Sequence, residues 1–205
     1  MSDISPQLVR ELRDKTNAGM MDCKRALAEA GGDLVKAEDL LRAKGIASAG
    51  KKASRSAKEG IVASYIHLQG KVGVLVEVNC ETDFVAKNEN FREFVKDITL
   101  HIAAANPTCV SREQVDPSEI ERERAIYRQQ VEGKPANIVE KIVEGKVDKF
   151  YGTICLMEQP FIKNPDVSIA DLVKSKITEL GENIVIRRFT RYMVGEGVTD
   201  EPAAE

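Results

Sequence analysis

Apolar positions along the chain change period three times. Up to about residue 45 they recur at helical spacing, from 61 to 78 they alternate, and beyond 88 they return mostly to helical spacing before a last alternating run at 184–194. Ser5-Pro6 predicts a helix start, since serine caps and proline suits the first turn; Leu8, Val9 and Leu12 follow on one face. Cys23, Leu27 and Ala30 predict a second helix, stopped by Gly31-Gly32. Asp33 predicts the cap of a third, with Leu34, Ala37 and Leu41 on its stripe and Gly45 as its expected end. Residues 1–45 thus read as a compact three-helix domain, near the lower size limit for independent folding.

Residues 46–59 read as a linker with room for some helix, in which small residues surround Lys51, Lys52, Arg55 and Lys58. Residues 60–197 read as an α+β core. Ile61–Leu68 and Val72–Val78 predict a hairpin turned at Gln69-Gly70. Asn88 is the expected cap of a helix over 89–105, which Pro107 closes. Asp116-Pro117 begins another carrying Ile120, Tyr127 and Val131. A third follows Pro135, carries Ile138, Val139, Ile142 and Val143, and passes Gly145 toward Leu156, with Pro160 as its limit. Ser168 opens a helix with Ile169, Leu172, Val173 and Ile177, stopped by Gly181; Ile184, Ile186, Phe189 and Tyr192 form the last strand-like run. The acidic tail 198–205 reads as disordered. Helices over a small antiparallel sheet, rather than a doubly wound parallel sheet, is the fold class expected.

Composition narrows the function. Charged residues make up 31% of the 205 positions and the net charge is -3, which does not favour nucleic acid as a direct partner. No apolar run reaches the roughly 18 residues that span a bilayer, and the N-terminal residues do not pattern as a secretory signal. Cys23, Cys80, Cys109 and Cys155 are widely spaced. Free thiols and a cytoplasmic location are therefore expected. The two histidines, His67 and His101, form no metal-ligand pair, and no phosphate-cradling glycine loop follows a strand. The expectation is a binding protein without cofactor, metal or nucleotide of its own, rather than an enzyme.

Two stretches look like contact surfaces. Met20 and Met21 are adjacent on a helix, so they point about 100° apart and cannot both face the bundle core. Cys80-Glu81-Thr82-Asp83-Phe84-Val85 lies where a strand ends and a helix begins. Asp83 can cap a helix or a turn there. Phe84 can fold back into the core, as most phenylalanines do, or protrude. The four linker cations leave open a ribosome- or RNA-associated adaptor.

Gly19-Met20-Met21-Asp22-Cys23-Lys24-Arg25-Ala26-Leu27 and Glu77-Val78-Asn79-Cys80-Glu81-Thr82-Asp83-Phe84-Val85-Ala86 together resemble the bacterial elongation factor Ts family. Glu144-Gly145-Lys146, Gln159-Pro160-Phe161 and Val194-Gly195-Glu196-Gly197 extend the likeness over nearly the whole chain. The resemblance implies a guanine-nucleotide exchange factor for elongation factor Tu. It implies an N-terminal module like the ubiquitin-associated fold and a dimerisation-type core. It implies that Thr82, Asp83, Phe84 and Val85 act at the partner's magnesium site, with Phe84 as a wedge. Met20 and Met21 would grip a helix of the partner's nucleotide domain. Longer members carry two related core subdomains; this chain has room for one, which implies a homodimer, with the final strand near its interface.

Overall fold

The computed structural model describes residues 4–16, 18–131, 133 and 135–197, so the acidic tail lies outside the described residues. Helices α1 (Pro6–Thr16), α2 (Met20–Glu29) and α3 (Leu34–Lys52) come first. Strands β1 (Glu59–His67) and β2 (Val72–Cys80) follow, then α4 (Asp83–Lys87), α5 (Glu89–Ala105), α6 (Pro117–Gln130) and α7 (Ala136–Ile154). The chain closes with β3 (Pro160–Phe161), β4 (Asn164–Ser168), α8 (Ile169–Leu180) and β5 (Val185–Met193). This is an α+β protein. Its described residues divide into two compact units, one drawn from 4–60, 79–92 and 170–185 and the other from 61–78, 93–169 and 186–197.

The first unit contains the N-terminal bundle. Its core is Val9, Leu12, Cys23, Ala26, Leu27 and Ala37, the positions that the helical spacing marks. The Asp33 carboxylate caps α3, accepting from the amides of Val35 at 3.0 Å and Lys36 at 3.2 Å. Those bonds, that from Lys36 foremost, hold its carboxyl below the usual range. Helix α3 does not stop at Gly45. It runs on to Lys52, so the first part of the linker stretch, residues 46–52, is helical. Gly31 and Gly181 do end helices, with φ of 65° and 78°, as left-handed terminal glycines do. Gly45 has no such φ. It is buried, and the Thr178 hydroxyl of α8 donates to its carbonyl at 3.1 Å. Packing there outweighs the roughly 1 kcal/mol propensity cost of a mid-helix glycine.

The second unit contains a three-stranded sheet in the order β1-β2-β5. The hairpin β1–β2 is antiparallel. So is β2–β5, because the amide of Val194 just past β5 donates to the carbonyl of Lys71 just before β2. Val72, Val74, Val76 and Val78 are buried, as the alternation requires, and so are Phe94, Val95, Ile98 and Ile102 on α5. The hairpin loop is wider than a two-residue turn: Leu68, Gln69 and Gly70 all adopt positive φ. A second hairpin, β3–β4, occupies the stretch where the sequence marks only a helix stop at Pro160. Strands of two and five residues, one with a proline inside, are too short to show a period. Helix α7 continues through Gly145, and α6 and α7 share a small core of Ile120, Val131, Val143 and Val147.

His101 is buried and structural, as its place late in a helix suggests. Its Nδ1 accepts from the amide of Ile162 at 3.2 Å. The ring proton therefore sits on Nε2, which donates to Oε1 of Gln159 at 3.0 Å. Gln159 in turn donates to the carbonyl of Thr153. Burial pushes the imidazole below its ordinary pKa, so it stays neutral inside this network.

Candidate partner-binding site

The turn from β2 into α4 begins where the sheet's alternation ends at Cys80, which is fully buried. Burial and the nearby Glu182 charge push its thiol up to about 11, and burial pushes that of Cys155 up to about 12. Neither is a thiolate nucleophile at neutral pH. The Cys80 thiol instead donates to the carbonyl of Thr82 at 3.2 Å.

Thr82, not Asp83, is the helix cap. Its hydroxyl accepts from the amide of Val85 at 3.4 Å, and its carbonyl accepts from the amide of Ala86 at 3.2 Å. Asp83 is the first residue inside α4 and accepts from the Lys87 ammonium at 2.7 Å, one turn on. That bond holds its carboxyl below the usual range, so Asp83 is charged at neutral pH. Asn88 separates α4 from α5 and accepts from the amide of Asn90 at 2.8 Å.

With the cap in place, the first turn of α4 turns Phe84 outward. The residue is 81% exposed. The choice that the sequence leaves open is thereby decided for protrusion. A helix of five residues that buries only Ala86 has no apolar face to spare for it. Val85 is half-buried, whereas Thr82 and Asp83 are exposed.

The tip is held from the far end of the chain. One carboxylate oxygen of Glu182 accepts from the amides of Glu81 and Thr82, both at 3.0 Å, and the other accepts from the Thr82 hydroxyl at 2.6 Å. Reciprocally, the amide of Asn183 donates to the Glu81 carboxylate at 2.6 Å. The buried Asn183 carboxamide donates to the carbonyls of Arg55 at 2.8 Å and Ala53 at 3.3 Å, just past α3. Arg55 reaches Glu81 at 3.5 Å. The residue pattern marks neither Glu182 nor Asn183 as a site residue. The one signal for them is that two polar residues stand between the terminal glycine Gly181 and an apolar strand, a place where the chain must turn.

The linker cations are thus partly used. Arg55 is paired, and Lys51 and Lys52 lie in the last turn of α3, where cations offset the helix dipole.

Met20 and Met21 stand in the first turn of α2, and both are exposed, at 57% and 67%. They line one cleft of ≈ 850 Å³ with Ile4, Pro6 and Val9, rimmed by Arg10, Arg13, Lys24 and Asp14. The cleft is apolar in its floor and carries three cations against one anion. Flexible thioethers suit such a surface to a partner's side chains. Met20, Met21 and the Thr82–Val85 tip all belong to the first compact unit.

A third exposed apolar surface is the outer face of the sheet. Ile66 lies over Gly73, where an added Cβ would meet its Cδ1 at 3.4 Å. Arg188 pairs with Glu77 at 2.7 Å. By the period of two, Val62, Leu75 and Tyr192 share that face, and all are exposed. Among the described residues, no group of three or more His, Cys, Asp or Glu is placed to hold a metal ion. No helix among them is long and apolar enough to cross a membrane.

Comparison with known proteins places this architecture. The family model described as Elongation factor TS matches residues 48–196. A protein named Elongation factor Ts from Alkaliphilus oremlandii is 60% identical over 198 residues, covering 96% of this chain and 91% of that protein. One from Desulforamulus reducens is 56% identical over 210 residues, covering 100% and 97%. One from Thermodesulfovibrio yellowstonii is 56% identical over 194 residues, covering 94% and 97%. With its exposed Phe84 tip, methionine-lined cleft and match over nearly its whole length, the chain belongs to the elongation factor Ts family and is a translation elongation factor.

Proposed function

We propose that the chain is a guanine-nucleotide exchange factor that binds the GDP form of elongation factor Tu and speeds GDP release. The observation that carries this reading is a phenylalanine 81% exposed on the first turn of a capped helix, next to a charged aspartate. A large apolar ring held in water gains about 1.5–3 kcal/mol when a partner buries it. A tenfold loss of nucleotide affinity needs about 1.4 kcal/mol of coupling. Phe84 can thus supply roughly one to two decades of destabilisation by wedging into the partner's magnesium and phosphate region. Asp83 and the neighbouring carboxylates add negative charge where the nucleotide's phosphates carry their own.

The rest of the coupling comes from holding on while the tip intrudes. The Met20–Met21 cleft supplies that grip, and its cationic rim favours a helix with an apolar ridge flanked by acidic residues. Coupling is reciprocal, so nucleotide with magnesium weakens binding of this chain by the same factor and releases it after exchange. The chain itself performs no covalent chemistry and needs no cofactor in this reading.

We further propose a homodimer in which the outer faces of two sheets pack together. Val62, Ile66, Leu75 and Tyr192 form an exposed apolar strip there, and the β1 and β5 flanks leave it open. Release of a fluorescent GDP analogue from elongation factor Tu tests the exchange reading. The intact chain accelerates release and Phe84→Ala loses most of that acceleration; equal rates overturn the wedge.

A further inference from the structure

We infer that Glu182 is the positioning residue of the exchange tip, a role that rests on the reading of Phe84 as the wedge. The turn at Glu81-Thr82 leaves the last strand residues and enters a helix, so its amides have no regular partner on either side. Glu182 satisfies both of them and also takes the Thr82 hydroxyl proton. A threonine hydroxyl has one proton and two lone pairs. With the proton committed to Glu182, the lone pairs face the amide of Val85, which is the capping bond of α4. The direction of Phe84 thus follows from a carboxylate a hundred positions later.

Glu182 is itself placed on both sides. Gly181 ends α8 in the left-handed conformation, its amide bonded to the carbonyl of Ile177. Asn183 is buried and locked to Glu81, Ala53 and Arg55. A residue between two fixed neighbours presents its carboxylate at low entropic cost. None of these hydrogen bonds involves Phe84. Their effect is on the share of molecules whose tip is ready to intrude, and apparent activity scales with that share. The donors freed by removing Glu182 sit in a half-exposed turn, where water replaces the lost acceptor. Its loss therefore loosens the tip more than it unfolds the protein.

The test uses the full chain and release of a fluorescent GDP analogue from elongation factor Tu, over a range of exchange-factor concentrations. Glu182→Ala lowers the maximal release rate at least fivefold and leaves the half-saturating concentration within twofold, because the methionine cleft still docks. Glu182→Gln keeps one acceptor oxygen and falls between. In the Phe84→Ala background, Glu182→Ala adds less than a twofold further loss, since a positioning residue has nothing left to position. A wild-type rate for Glu182→Ala beside a defective Phe84→Ala overturns the positioning role alone. Additive losses also overturn it, because Glu182 then acts independently of the ring. A wild-type rate for Phe84→Ala overturns the wedge reading and this inference with it. A collapse of the thermal melt in Glu182→Ala reassigns the residue to the fold and overturns the role.

Discussion

Gly45 and Thr178 touch where α3 crosses α8: the threonine hydroxyl donates to the glycine carbonyl at 3.1 Å, and a Cβ on residue 45 would lie 3.2 Å from that oxygen and 3.3 Å from the methyl. The glycine is therefore a spacer inside a helix. Gly45→Leu is expected to destabilise the protein by about 1–3 kcal/mol, the usual range for overpacking. Urea denaturation measures it, and an unchanged midpoint would mean that the two helices do not approach this closely.

Two phenylalanines ten positions apart should respond oppositely to truncation. Phe94 is almost fully buried on α5, so Phe94→Ala costs about 3–5 kcal/mol. Phe84 stands in solvent, so Phe84→Ala shifts stability by less than about 0.5 kcal/mol. Paired denaturation curves decide this. A large loss for Phe84→Ala would return its ring to the core and remove the wedge.

The outer face of the sheet gives a separate test of assembly. Leu75 is 52% exposed in the middle of β2, between Gly73 and Glu77. Leu75→Glu places a charge at the centre of the proposed dimer contact without disturbing the buried valines on the other face. Sedimentation should show a dimer for the native chain and a monomer for the variant, with identical circular dichroism. A native monomer, or a dimer unmoved by Leu75→Glu, would locate assembly elsewhere.

His101 makes stability depend on pH in a defined direction. Its folded pKa lies below the ordinary 6.5, because burial disfavours the imidazolium. The unfolded chain therefore takes up a proton first as pH falls, and stability rises with pH wherever the unfolded state binds more protons. The contribution is complete above about 6.5 and is lost as pH drops from there toward the folded value. Denaturation midpoints should fall between pH 7.5 and 5.5, and fall less in His101→Asn. Equal slopes for the two proteins would show that His101 binds its proton equally well in the folded and unfolded chain.

The sequence alone determined the helices of the N-terminal bundle, the β1–β2 hairpin and the buried faces of α5 and α8. Each of these rests on burial repeating at a fixed period, and a period is local information. The motif around Cys80–Val85 also carried the family. The resemblance implied an outward Phe84, but the residue pattern by itself did not carry the side on which it stands, because a phenylalanine after a strand suits a core and a tip alike. The tertiary structure decided that, through a five-residue helix too short to have a face and a cap oriented by Glu182. It likewise decided that Met20 and Met21 share one cleft, and that Gly45 lies within a helix instead of ending it. For the tip and the glycine the deciding atom belongs to a residue distant along the chain, Glu182 and Thr178 respectively, and no spacing of neighbours encodes such a meeting.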